Sequence, residues 1–381
     1  MEHGRLQSAA IHRAPTPFSA PRVAIVHYWM LSMRGGERVV ERMLDLYPGA
    51  DLFCHVMDES RVSKKISAAK VTRSFISRLP FHKRLYQYYL PLMPMALEEL
   101  DLGGYDLVIS SESGPAKGVI TPPGSTHVCY CHSPMRYLWD QYGPYKREAN
   151  ALARLAMPLM YHRLRQWDVT SSALVDNFAA NSRFVQQRIR KFWRREAEVI
   201  HPPVEVDLFR PADAVEDYYL WVGQMVPYKR PDLAVDAFNA NGLPLVMVGT
   251  GSMAKALKAR AGANIRFVER MDFDRLRQTF ARAKAFLMTA EEDFGITPVE
   301  SMATGRPVIG YGKGGLRDSV VDGVTGLFFD RQETDALQDA VERFETFAKH
   351  YDPRESIARA RLFAPEEFDR KMLAFVGAAM G

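Results

Sequence analysis

The chain has 381 residues, 47% of them hydrophobic and 25% charged, with a formal net charge of +5. That length and balance suit two folded domains, each with its own core, and exclude a largely disordered chain. No stretch approaches the ~18–20 consecutive apolar residues of a spanning helix, and the densest, residues 90–97, is broken by Pro91 and Pro94, so the chain is not expected to span a membrane.

Residues 1–21 hold Arg, His, Ser and three prolines without an apolar segment, which predicts a flexible tail rather than a secretory signal. Residues 22–29 read as a buried strand. Gly35-Gly36 then opens an amphipathic helix to about Tyr47, with Val39, Val40, Met43, Leu44 and Leu46 near one face. A glycine in this first β-α loop either lets backbone approach a ligand or makes a tight turn.

Between residues 73 and 90, Arg73, Arg78, Lys83 and Arg84 interleave with aromatic and aliphatic side chains, and residues 151–167 repeat the pattern with Arg154, Arg163 and Arg165. Such a surface fits anionic lipid headgroups, or helices that cover a core while their charges snorkel outward. Residues 1–208 carry about +7 and the remainder about −2, so the anionic-surface side belongs to the first half. Further strands are expected at 105–110, at 126–131 and at 177–181. The 126–131 strand ends at His132, a residue more often structural than functional when it stands alone. The three cysteines, Cys54, Cys129 and Cys131, are an odd number without metal-ligand spacing, which predicts buried thiols in a reducing cytoplasm.

Residues 201–211 contain three prolines and read as a hinge between a domain at 22–208 and a second at 209–364. In the second domain, apolar runs at 219–224, 243–249, 265–269, 285–290 and 307–311 alternate with helices starting near Pro231, Ser252, Asp272, Pro298 and Leu316. That alternation predicts a parallel sheet covered by helices, whose ligands bind outside the strand carboxyl ends.

Residues 291–315 place Glu292 and Glu300 around a strand-to-helix turn. Thr297 is expected to cap the helix, Pro298 to occupy its first turn and Gly305 to end it. Free backbone N–H groups and the helix dipole favour a phosphate there, and carboxylates on either side can accept from hydroxyls. Thr297-Pro298-Val299-Glu300 equally fits a capping box, in which Glu300 bonds back to the Thr297 amide.

With Phe294-Gly295-Ile296, Gly305, Pro307 and Gly314-Gly315, this segment resembles the E-x7-E signature of the retaining family 4 glycosyltransferases, over roughly residues 22–370. The resemblance implies an α/β GT-B fold of two Rossmann-like domains facing a cleft, with the last helix, within 365–381, returning to the N-terminal domain. It implies that Glu292 contacts donor-sugar hydroxyls, Glu300 holds the ribose, and the turn from Phe294 through Gly295 and Ile296 to Thr297 meets diphosphate and sugar. Gly35 and Gly36 correspond to the glycine loop bordering diphosphate and acceptor, and Gly249, Arg270 and Met271 to the loops around the base. His132-Ser133-Pro134-Met135-Arg136-Tyr137 is similar to a segment of a mannosyltransferase-like subgroup. That likeness implies His132 near the reacting centre, with Arg136 and Tyr137 towards the acceptor. Lys229 matches the family lysine that neutralises the leaving diphosphate. Gln224 departs from the pattern, because relatives carry Arg there, which leaves Arg230 or another cation to compensate.

The nearest resemblance is to bacterial mannosyltransferases of O-antigen and exopolysaccharide assembly. It implies GDP-mannose as donor, a polyprenyl-diphosphate-linked saccharide as acceptor, no cofactor or metal, no nucleic acid, and a cytoplasmic or peripheral place at the inner membrane face. A UDP-sugar donor, a sugar-nucleotide 2-epimerase and a non-catalytic basic protein binding nucleic acid or membrane are the alternatives.

Overall fold

A computed structural model describes residues 20–381; most of the expected N-terminal tail lies outside the described residues. The first domain is built on seven parallel strands: β1 (Val23–Met30), β2 (Asp51–Met57), β3 (Val71–Arg73), β4 (Leu107–Glu112), β5 (Thr126–Cys131), β6 (Asn177–Ala180) and β7 (Glu198–Val199), in the spatial order β3-β2-β1-β4-β5-β6-β7. The second has six: β8 (Tyr219–Val222), β9 (Leu245–Val248), β10 (Ile265–Val268), β11 (Ala285–Met288), β12 (Val308–Tyr311) and β13 (Gly326–Phe329), in the order β10-β9-β8-β11-β12-β13, again parallel. Both are Rossmann-like.

The central strands are apolar along their length because helices cover both faces. Leu-Val-Met-Val of β9 and Ala-Phe-Leu-Met of β11 are wholly buried, with alternate residues entering two separate cores. β2, β3, β7 and β13 were not expected from sequence. β2 is disguised by His55, whose ring is satisfied only from afar: Nδ1 lies 2.9 Å from Ser74 Oγ and Nε2 3.2 Å from the Pro115 carbonyl. The three cysteines are buried thiols, and burial pushes Cys54 up to about 12.

The proline-rich connector packs into the second domain directly after the chain leaves the first. Ile200 enters the N-terminal core, while Val204, Val206 and Phe209 enter the C-terminal one. Near the end, the Pro353–Arg361 helix lies against the second domain and the Pro365–Met380 helix returns to the first, burying Phe368, Met372, Phe375 and Val376. Arg42 Nε donates to Asp369 Oδ1 at 2.8 Å across that junction. Among the described residues, no helix is long and apolar enough to cross a membrane.

Candidate active site between the two sheets

In each sheet the strand order reverses at one point, between β1 and β4 and between β8 and β11. Crevices open at the carboxyl ends of such switch points. The loop after β1 carries Gly35-Gly36, the loop after β8 carries Gln224 to Arg230, and the loop after β11 carries Glu292.

The donor-side helix runs from Ile296 to Ala303, with Gly295 at φ 86 as its N-cap and no side-chain cap. This corrects the expectation for Thr297, which lies inside the first turn and caps nothing. Glycine takes the cap because the chain enters the helix through a positive φ that other residues adopt with strain. Glu300 is consequently in the second turn, and among the described residues it makes no capping-box bond to Thr297. Burial pushes the Glu300 carboxyl up to about 7, with Arg38 of the opposite domain pulling the other way.

Lys229 Nζ lies 3.0 Å from Glu292 Oε1, an ion pair between half-buried groups across the β8/β11 switch point. Its angle is poor, and Glu292 Oε1 accepts no hydrogen bond from the described residues. The turn is shaped by close backbone contact: a Cβ on Gly314 would stand 2.4 Å from the Glu292 carbonyl, and one on Gly315 2.2 Å from the Asp293 carbonyl. Gly315 N donates to Glu292 O at 2.9 Å.

The first domain closes over this turn. A Cβ on Gly35 would lie 3.1 Å from Ile296 Cδ1, and one on Gly36 3.6 Å from His132 Nε2. His132 Nε2 is 2.8 Å from Ser111 Oγ, which is 3.0 Å from His27 Nδ1. Burial lowers His132 to about 4 and holds His27 well below its usual range, so both imidazoles are neutral at pH 7 and can act only as hydrogen-bonding groups.

Other expected residues are placed less directly. Gln224 is exposed. Arg230 turns to Asp232, Nε to Oδ2 3.0 Å, and to the Gln332 carbonyl at 3.3 Å. Gly249, at φ 138, takes a conformation open to glycine but not to residues with a Cβ, and a Cβ there would meet the Gly223 carbonyl at 1.9 Å, so it joins the loops after β8 and β9. Arg270 is exposed and Met271 half-buried after β10. The Phe294 side chain packs in the core against His201 and Phe363, leaving only its backbone towards the cleft. Tyr137 packs near Tyr145 and Tyr161.

Sequence reasoning missed a latch between the domains. Buried Arg188, from the Arg183–Trp193 helix, donates Nη1 to Asp293 Oδ1 at 2.9 Å and Nη2 to Asp140 Oδ1 at 2.6 Å. Ser133 Oγ donates to Asp293 Oδ1 at 3.1 Å, Ser182 Oγ donates to the Asp293 carbonyl, and Arg136 Nη1 reaches the Glu291 carbonyl at 3.2 Å. Asp318 adds a second tie, accepting from Arg183 N at 2.7 Å with His201 Nε2 3.1 Å away. The partners that join the two domains lie more than 100 residues apart in the chain, and no local spacing signals them. Arg136, expected towards the acceptor, is part of this latch, and Asp293, beside Glu292, was a further member whose position could have drawn notice.

Residues 33–208 match the family model described as Glycosyltransferase Family 4, and residues 210–361 match Glycosyl transferases group 1. The chain belongs to the GT-B glycosyltransferases. It is 28% identical over 173 residues to an uncharacterized glycosyltransferase of Methanocaldococcus jannaschii, covering 44% of this chain and 48% of that one. It is 30% identical over 169 residues to the D-inositol 3-phosphate glycosyltransferase of Mycobacteroides abscessus, covering 38% of each. The chain thus spans under half the length of these curated relatives. Among solved structures, Anabaena HepE in complex with UDP and glucose superposes with a TM-score of 0.67 at 15% identity, over 94% of this chain and all of that one. That likeness establishes for this chain the α/β GT-B fold of two Rossmann-like domains.

Proposed function

We propose that the chain is a retaining glycosyltransferase that moves a hexose from a nucleoside diphosphate to an acceptor hydroxyl. The observation that carries this reading is the Lys229–Glu292 pair at the β8/β11 switch point, facing Gly35, Gly36 and His132 across the cleft. A bound donor would part the pair, Glu292 accepting from sugar hydroxyls while Lys229 neutralises the diphosphate. The bond from the anomeric carbon to the β-phosphate oxygen breaks, its electron pair leaving with the phosphate. The acceptor oxygen bonds the anomeric carbon from the same face, and its proton passes to the departing phosphate. His132, neutral, serves as a hydrogen-bond partner near that carbon, and no side chain acts as covalent nucleophile.

The finer reading is mannose from GDP-mannose, delivered to a polyprenyl-diphosphate-linked saccharide in bacterial surface polysaccharide synthesis. It rests on the likeness of residues 132–137 to the mannosyltransferase subgroup. A UDP-sugar donor is the second reading, favoured by the HepE structure, whose ligands are UDP and glucose. A cytoplasmic enzyme peripheral to the inner membrane face is supported by Leu152, Leu155 and Leu159, all 70–80% exposed at one helical spacing on the Ala151–Ser171 helix, with Arg154 and Arg163 nearby. A binding screen of GDP-mannose, GDP-fucose, UDP-glucose, UDP-galactose and UDP-N-acetylglucosamine, followed by turnover of the best ligand on membrane lipid extract, tests the reading. Interconversion of sugar nucleotides without acceptor would instead mark an epimerase, and binding of nucleic acid without any sugar nucleotide a non-catalytic protein.

A further inference from the structure

A diphosphate leaving group carries more charge than one lysine balances. On the donor side, Gln224 brings a neutral amide, and the Arg230 guanidinium is engaged by Asp232 and by the Gln332 carbonyl. The opposite wall of the cleft supplies what is missing. Arg34 immediately precedes Gly35-Gly36, and Arg38 follows one turn into the Gly35–Leu46 helix. Arg34 is the extended N-cap of that helix, and Arg38 N donates to its carbonyl at 3.0 Å, so the two lie one turn apart.

Both arginines are exposed. Among the described residues neither has a carboxylate within salt-bridge distance, although the chain pairs many other cations. The first-turn acid, Glu37, does not compete for that face. It is 3% exposed, and its Oε2 accepts from the Arg34 amide at 3.0 Å. Arg38 lines, with Ile296 and Glu300, a cavity of about 120 Å³ between the domains. Gly35 approaches Ile296 itself. At the other end, the Arg34 charge acts on Tyr228, the neighbour of Lys229. Arg38 therefore lines the cleft beside Ile296 and Glu300, and Arg34, next to Gly35, stands by the start of the donor-side helix.

We propose that Arg34, assisted by Arg38, is the cation that replaces the arginine absent at Gln224, so that the diphosphate is neutralised from the N-terminal domain. The inference rests on the sugar-nucleotide reading above. Its consequence is that leaving-group stabilisation requires a closed cleft, because cation and donor turn sit on different domains.

Calorimetric titration of GDP, UDP, GMP and UMP into the full chain and into Arg34→Ala, Arg34→Met and Arg38→Ala tests it. Loss of one charge-assisted contact corresponds to a ten- to hundredfold change, on the order of what such bonds contribute. Arg34→Ala and Arg34→Met should therefore weaken the better diphosphate by about that factor and the monophosphates by less than about threefold. Gln224→Arg in the Arg34→Ala background should restore most of the lost affinity. Wild-type affinity in both Arg34 variants, an equal loss for mono- and diphosphates, or failure of the Gln224→Arg rescue would each overturn the proposal while leaving the donor-site reading in place. If the wild-type chain binds none of the four nucleotides, the sugar-nucleotide reading falls and this inference with it. The Arg34 side chain is exposed, so its loss opens no cavity, and an unchanged melting temperature identifies a folded variant.

Discussion

Replacing Asp293 by alanine should open the cleft. In the intact protein its Oδ1 accepts from Arg188 Nη1 at 2.9 Å and from Ser133 Oγ at 3.1 Å, while its Oδ2 lies 3.7 Å from Arg136 Nη1. Removing one partner of a buried pair costs about 3–5 kcal/mol when the other charge is stranded. Here Asp140, 2.6 Å from Arg188 Nη2, keeps that guanidinium paired, so a cost of about 2 kcal/mol is expected, near a single charge-assisted bond. That shifts the closed-to-open ratio roughly thirtyfold. The native thiols are buried, so cysteines introduced at exposed Ser60 and Lys349, one on each domain, can be labelled selectively and their separation followed by single-molecule energy transfer. The variant should populate a longer separation and turn over up to about thirtyfold more slowly, with domain melting temperatures unchanged because the lost contacts lie between domains. Wild-type separation and turnover would refute the latch, and a fall in melting temperature alone would make Asp293 an ordinary stabilising residue.

Three further outcomes follow from local physics. Because Glu300 titrates near 7 when folded and near 4.5 when unfolded, the folded state holds its proton longer, and stability falls as pH rises through that window. Glu300→Gln should therefore melt several degrees higher than wild type at pH 8 and converge with it towards pH 4; a pH-independent difference would contradict the burial argument. Replacing Leu152, Leu155 and Leu159 together by serine should weaken partitioning onto phosphatidylglycerol vesicles by about a hundredfold, at roughly 1 kcal/mol for each leucine that inserts halfway into the headgroup region, without altering nucleotide affinity. Equal vesicle binding would discard that face as the membrane contact. Gly249→Ala forces a Cβ to 1.9 Å from the Gly223 carbonyl at a φ of 138, so a loss of about 3 kcal/mol is expected in thermal unfolding, and a native melting temperature would show that the two loops are free to separate.

The sheets were legible where apolar runs were continuous, as in β1, β5, β8, β9 and β11, because burial on both faces writes itself into local composition. β2 was hidden because His55 is satisfied by Ser74 and Pro115, residues that no short window includes. At the site, Glu292 and Lys229 were placed by resemblance, and the structure brings them together. The cap at Thr297 was misjudged because a positive-φ glycine competes with a threonine side chain, and composition does not decide between them. Asp293 with Arg188, and Arg38 with Glu300, depend on how two domains meet. Local hints lay in Asp293, next to Glu292, and in Arg34, standing directly before Gly35-Gly36 and four residues ahead of Arg38.

The central claim is that the turn at Glu292 holds a donor sugar. It is tested most directly by titrating nucleoside-diphosphate hexoses into the wild-type chain and Glu292→Ala, then measuring turnover of whichever donor binds. Losing a charge-assisted contact of ~1.5–3 kcal/mol should leave the variant folded and slow transfer about ten- to a hundredfold. Wild-type turnover in Glu292→Ala, or no hexose donor bound by the wild-type chain, would contradict it.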